Sequence, residues 1–146
     1  MYSLGEKVAQ SDKDAFKWYR KSAAQGYAIS QNNLGNMYAK GRGVPRNNKE
    51  ALKWWEKSAK QGVDTAQLNL GRYYENGYGV EKDIVTAHMF YNLAVVNGHT
   101  TAKFQRDMIA KEMTREQIGK AQDLAREWLK SQTVKKISKY QMPFNQ

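Results

Sequence analysis

The chain has no cysteine, which excludes disulfide staples and thiolate metal sites while naming no compartment. It also lacks any run of 18 apolar residues, so no segment reads as a membrane-spanning helix. The opening Met1-Tyr2-Ser3-Leu4-Gly5-Glu6-Lys7 has no basic start followed by an apolar stretch, and no secretory signal is legible there. Histidine is scarce. His88 and His99 stand 11 positions apart with no His-Glu-x-x-His spacing, so a metal site would have to be built mostly from carboxylates. A Gly-x-Ser-x-Gly elbow and a Gly-x-x-x-x-Gly-Lys-Ser/Thr phosphate loop are both missing. Carboxylate pairs such as Glu75 and Asp83 are what chance supplies among 14 acids in 146 residues. These absences lead us to expect no catalytic residue, no metal, no cofactor and no small-molecule substrate.

Acid is also short against base. Lys and Arg number 24 and Asp and Glu 14, a formal net charge of +10 with a pI near 9.7. Such a field draws polyanions towards a protein. The lysines are spread along every segment, however, so they read first as a solvated surface and second as a nucleic-acid face. At 40% hydrophobic and 12% aromatic content, the chain is expected to fold as a globular protein.

What is present is a period. Leu34-Gly35-Asn36-Met37-Tyr38-Ala39-Lys40-Gly41-Arg42-Gly43-Val44 returns 36 residues later as Leu70-Gly71-Arg72-Tyr73-Tyr74-Glu75-Asn76-Gly77-Tyr78-Gly79-Val80. The same step relates Tyr2, Tyr38 and Tyr74; Gly5, Gly41 and Gly77; Ala15, Ala51 and Ala87; Trp18, Trp54 and Phe90; Tyr19, Trp55 and Tyr91; and Gly26, Gly62 and Gly98. One such unit cannot bury its own apolar face, so neighbours must stack into a continuous core. The expected divisions are a truncated first repeat at 1–26, repeats at 27–62 and 63–98, a degenerate repeat with a C-terminal cap at 99–130, and a basic tail at 131–146. Because the register already holds at Tyr2, the chain is expected to open in the last turn of a helix, either because Met1 is not the native start, which is the preferred reading, or because the first repeat is naturally clipped. A periplasmic or secreted location then stays open.

Each unit reads as two helices. The first spans roughly 27–40 and 63–76 and should stop at Gly41 and Gly77, where a left-handed residue closes the helix without steric cost. The second starts at a side-chain cap, Ser11, Asn47 or Asp83. Its stripe sets aromatics between small residues: Ala15, Trp18, Tyr19 and Ala23; Ala51, Trp54, Trp55 and Ala59; Ala87, Phe90, Tyr91 and Ala94. Gly35 and Gly71 fall inside the first helices, where glycine costs about 1 kcal/mol relative to alanine. A cost repeated at one register points to a Trp or Tyr of the second helix lying over the missing Cβ. Trp18, Trp54 and Phe90 are accordingly expected to be scaffold.

Beyond Gly98 the pattern decays, with Arg106-Asp107 where Leu-Gly stood. Thr114 and Gln117 make a capping box ahead of Ile118, Ala121, Leu124, Ala125 and Trp128 on one helix face, the expected end cap of the array. Residues 131–146 read as a frayed tail, or as one that lies back along the array or enters a neighbouring molecule's groove, with Tyr140, Met142 and Phe144 as anchors.

The unit Leu-Gly-x-x-Tyr-x-x-Gly-x-Gly-Val, then a cap, then Ala-x-x-Trp-(Trp/Tyr)-x-Lys-Ser-Ala-x-x-Gly resembles the Sel-one-like repeat family, a relative of the tetratricopeptide repeats that steps by 36 residues rather than 34. The match covers residues 2–98 and departs from the pattern at the clipped first unit and at Arg106-Asp107. The resemblance implies an all-α, right-handed α-solenoid of antiparallel helix pairs with a C-terminal capping helix. It further implies a bacterial source, first helices lining a concave face, and a non-enzymatic adaptor for a protein or peptide partner. A cysteine-rich subgroup of the family binds or hydrolyses β-lactams, a third reading that nothing in this cysteine-free chain supports.

On a first helix, the residue two before Leu-Gly, the one just after it and the one four further share a side. That selects Asn32, Asn36 and Lys40, then Leu68, Arg72 and Asn76, then Phe104, Met108 and Glu112 as the expected partner-binding groove.

Overall fold

The computed structural model describes residues 4–141. Among them are seven α-helices and no strand. They are α1 (Leu4–Ala24), α2 (Ala28–Lys40), α3 (Asn48–Ala59), α4 (Asp64–Asn76), α5 (Ile84–Val96), α6 (Thr100–Ala110) and α7 (Arg115–Gln141). Two hairpins, α2 with α3 and α4 with α5, form the body of an α-solenoid. Helix α1 stacks ahead of them, and α6 and α7 close on α5.

The glycine loops make the hairpins. Gly41 and Gly77 are left-handed, with φ of 68° and 72°, and their N–H groups return to Met37 and Tyr73. The chain then runs to the cap, whose own N–H donates back to the first helix: Asn47 to the Tyr38 carbonyl and Asp83 to that of Tyr74, both at 2.9 Å. The Asn47 and Asp83 side chains accept from the N–H groups of Glu50 and Thr86 at 3.1 Å. At Gly43 a Cβ would collide with the Asp12 carbonyl, and at Gly79 it would come within 2.7 Å of the Asn48 Cβ. The second loop glycine thus lets each loop rest on the second helix of the preceding unit.

The helical glycines sit where aromatics press on them. A Cβ at Gly35 would lie 2.6 Å from the Trp55 indole, and one at Gly71 would lie 2.5 Å from the Tyr91 ring. Both aromatics are almost wholly buried, at 2% and 0%. They join Ala51, Ala59, Ala66, Leu70, Leu93 and Ala87 in the core.

The scaffold assignment of Trp18 and Trp54 needs correction. In the two regular units it is the second aromatic of the pair, Trp55 or Tyr91, that faces the glycine, while the burial of the first differs from unit to unit. Phe90 is covered, by Tyr74 and by Trp128 of α7 at centroid distances of 5.7 and 5.5 Å. Trp54 is half-buried, with the Lys53 and Lys57 ammonium groups over its ring at 5.6 and 5.0 Å. Trp18 packs edge-on against its neighbour Tyr19 and stays 62% exposed.

Two further differences lie at the ends. Ser11 caps nothing, because α1 runs unbroken through its position; Lys7 replaces the second loop glycine there, so Gly5 alone does not stop the helix. At the other end, the Thr114 box forms as expected, with Thr114 N–H to Gln117 Oε1 at 2.9 Å and Gln117 N–H to Thr114 Oγ1 at 3.1 Å. The helix it starts continues to Gln141, so 131–141 is helical rather than frayed. The anchors proposed there, Met142 and Phe144 with the side chain of Tyr140, lie outside the described residues.

A polar ladder that the sequence reading missed ties the layers. Gln31 and Gln67 each donate to the last turn of the preceding unit's second helix, at the Ala23 and Ala59 carbonyls, and each accepts from Gln61 or Asn97 at 2.9 Å. These residues too are spaced by 36 and buried or bridging, so each layer is registered on the last by amide hydrogen bonds that leave neither Gln31 nor Gln67 unpaired.

Candidate partner-binding site

The first helices α2 and α4 meet side by side through polar links. Asn32 Nδ2 donates to Thr65 Oγ1 at 3.0 Å, and Asn69 Nδ2 donates to Asn36 Oδ1 at 3.3 Å. Between the two helices lies an open recess of about 470 Å³ lined by Asn36, Ala39, Lys40, Trp55, Thr65, Leu68, Asn69, Arg72 and Tyr73. A second recess of about 300 Å³ lies one layer earlier, between α1 and α2, with Tyr19 in the place of Trp55.

Of the expected groove residues, Asn36, Lys40, Leu68 and Arg72 are brought together around the larger recess. Lys40 and Arg72 are exposed. Asn76 is exposed at the end of α4 but turns its amide back onto the Arg72 carbonyl at 2.8 Å. Phe104 and Met108, one helical turn apart on α6, are 65% and 46% exposed, and Glu112 beyond them is exposed. Two positions differ from expectation. Asn32 is only 8% exposed because it is spent on the Thr65 link, and Leu68, at 6%, packs in the core with Ala87, Tyr91, Ala102 and Ile109. The three-position rule assumed an isolated helix; Asn32 is drawn into the seam between α2 and α4, and Leu68 is covered by α5 and α6. The residues it missed, Thr65 and Asn69, line the recess beside Leu68.

The electrostatics are one-sided. The ion pairs among the described side chains are Arg42 with Asp12 at 3.1 Å, Arg106 with Asp107 at 3.2 Å, and Arg126 with Asp123. Neither Lys40 nor Arg72 takes part in them. The acid near Arg72, Glu75, accepts from the Tyr91 hydroxyl at 3.0 Å, and burial together with that carboxylate raises the Tyr91 phenol far above its ordinary value. Burial also raises Tyr73 at the recess wall. Among the described residues no cluster of histidine, cysteine or acid could hold a metal ion, and no helix is long and apolar enough to cross a membrane.

The repeat model for this architecture, Sel1 repeat, matches residues 1–27, 28–63 and 64–99. The chain belongs to the Sel1 repeat family. Solved Sel1-type structures agree. The protein c5321, a protective antigen present in uropathogenic Escherichia coli strains and displaying an SLR fold, is 35% identical over 81% of this chain, with a TM-score of 0.78. A Sel1 repeat protein from Oxalobacter formigenes is 37% identical over 66% of it, with a TM-score of 0.64. The chain spans 26% of the first protein and 40% of the second. Among curated proteins none matches it. Sel1 repeats generally mediate protein–protein interaction, and the fold is typically a non-catalytic scaffold.

Proposed function

We propose that the face built by α2, α4 and α6 is a concave docking groove for a segment of another protein, and that the chain works by holding a partner rather than transforming it. Phe104 and Met108 carry this reading. They are large apolar side chains on one side of α6, exposed at 65% and 46%, whereas Leu34, Met37 and Leu70 of the regular first helices are buried; Ile29 at the start of α2 is exposed as well, but stands alone in that helix. A paired apolar surface next to an open polar recess suits a segment with alternating apolar and polar side chains.

Site-specific photo-crosslinking tests it. A benzoylphenylalanine at position 108 should trap a discrete protein partner, the Phe104→Gln change should abolish the adduct, and the same probe at exposed position 127 on α7 should trap none. Equal trapping at both positions, or none at 108, would remove the groove reading.

One observation favours the second reading, a basic nucleic-acid binder. Trp18 and Tyr27 are each 62% exposed, so the chain does offer aromatic faces on which bases could stack. A gel shift with single-stranded and duplex oligonucleotides at physiological salt should show no retention; retention that collapses as salt is raised would place nucleic acid ahead of protein.

A further inference from the structure

We infer that the recess between α2 and α4 is a carboxylate-binding subsite, the point at which the partner segment presents an acidic side chain or its C-terminus; the inference rests on the groove reading above. Asn36 sets the polarity of the recess. Its Oδ1 accepts from Trp55 Nε1 at 3.1 Å and from Asn69 Nδ2 at 3.3 Å. An indole nitrogen only donates, so the amide of Asn36 is oriented by its partner and its oxygen is spoken for. What Asn36 has left to offer is its NH₂ group. Thr65 is in the same position, since its hydroxyl oxygen already accepts from Asn32 and its proton remains to be given. Lys40 and Arg72 line the same space, and no acid does.

The recess therefore combines two cations with donor-facing polar groups and a floor of Trp55, Leu68 and Ala39. Removal from bulk water on ligand entry strengthens each of these contacts, and a guanidinium presents a planar fork that matches a carboxylate. Charge complementarity selects an anion, and the apolar floor and the apolar Phe104 and Met108 one layer away select one carried on a peptide. A phosphate chain would leave the apolar surface unused.

Trp55 makes the subsite measurable, because its indole N–H rests on the one amide that a ligand would polarise. Three probes and a control isolate the chemistry in ¹H–¹⁵N spectra of the full chain. N-acetyl-aspartate N-methylamide carries a side-chain carboxylate, acetyl-glycyl-glycine a terminal one, N-acetyl-asparagine N-methylamide is the uncharged isostere, and inorganic phosphate is the competing anion. The Trp55 indole and Asn36 side-chain signals should shift saturably with at least one carboxylate, and the isostere should require about tenfold more ligand for the same shift. The tighter of the two carboxylates identifies its source. A K40M/R72M variant, changed only at exposed positions, should keep its helical circular dichroism and respond to the carboxylates no better than to the isostere. Equal responses to acid and amide, undisturbed Trp55 and Asn36 signals, or tighter binding of phosphate would overturn the assignment. Crosslinking at position 108 reads the groove separately, so the subsite can fail while the groove stands.

Discussion

The regular hairpins and the closing unit use one backbone plan with different side chains at its critical register. In the regular units Leu34-Gly35 and Leu70-Gly71 bring the first helix hard against Trp55 and Tyr91. In the closing unit Arg106 and Asp107 occupy that register, Arg106 donates to Asn92 at 2.8 Å, and the seal comes instead from Trp128, Ala121 and Ala125 of α7. The regular units thus gain stability from an aromatic lodged on a missing Cβ. The closing unit gives up that contact, relies on a capping helix, and leaves Phe104 and Met108 outward. The aromatic-on-glycine contact belongs to the regular units, and the exposed apolar pair to the closing one.

The comparison breaks most visibly at the aromatic pair. Trp55→Ala should cost about 3–5 kcal/mol through the cavity left over Gly35, whereas Trp18→Ala should change stability by no more than about 0.5 kcal/mol, because Trp18 is largely solvated. Urea unfolding of the two variants measures both, and equal losses would mean that the first aromatic of each pair is scaffold after all.

A smaller effect of opposite sign sharpens it. Gly71→Ala drives a methyl into the Tyr91 ring and should destabilise by about 1–3 kcal/mol. Gly119→Ala, in α7 with nothing within 4 Å of the added carbon, should stabilise by about 0.5–1 kcal/mol. Thermal melts with shifts of the same sign would contradict the close-approach account.

The third effect separates the regions by pH. His88 stands at the register of Phe16 and Leu52, is 4% exposed, and has an Nδ1 that is buried without a partner. Burial, and then the Arg106 charge, lower its pKa, with Asp107 opposing. The folded state therefore disfavours the imidazolium. Its contribution to stability is whole above the ordinary histidine value of about 6.5 and is lost as pH falls through that value towards the depressed one, with a slope of at most about 1.4 kcal/mol per pH unit. His88→Leu should flatten the dependence between pH 7 and pH 5; an unchanged slope would assign the acid sensitivity elsewhere.

How much of this was legible from residues alone follows from what a period records. Positions that meet their equivalents in the next layer repeat, so the glycine loops, the caps at Asn47 and Asp83 and the aromatic-on-glycine contact could be read directly. Positions whose surroundings change along the stack could not. Trp18, Trp54 and Phe90 share a register and a chemistry, yet only Phe90 has α7 to cover it. Asn32 and Leu68 looked like groove residues because a single helix has a free side there, and neighbouring helices then close it. The unbroken α1 turned on one substitution, Lys7 in place of a loop glycine. The Gln31–Gln67 ladder was periodic and went unread because polar residues in a basic chain suggest solvent. Within the site, no spacing rule could show that Trp55 fixes the direction of the Asn36 amide.

The most direct test of the division between frame and surface is equilibrium urea unfolding of the F104Q/M108Q double variant beside the wild-type chain. The account predicts the same slope and a stability within about 0.5 kcal/mol of wild type, since both side chains are exposed. A loss approaching that expected for Trp55→Ala would show that Phe104 and Met108 belong to the frame, and the groove would lose its apolar wall.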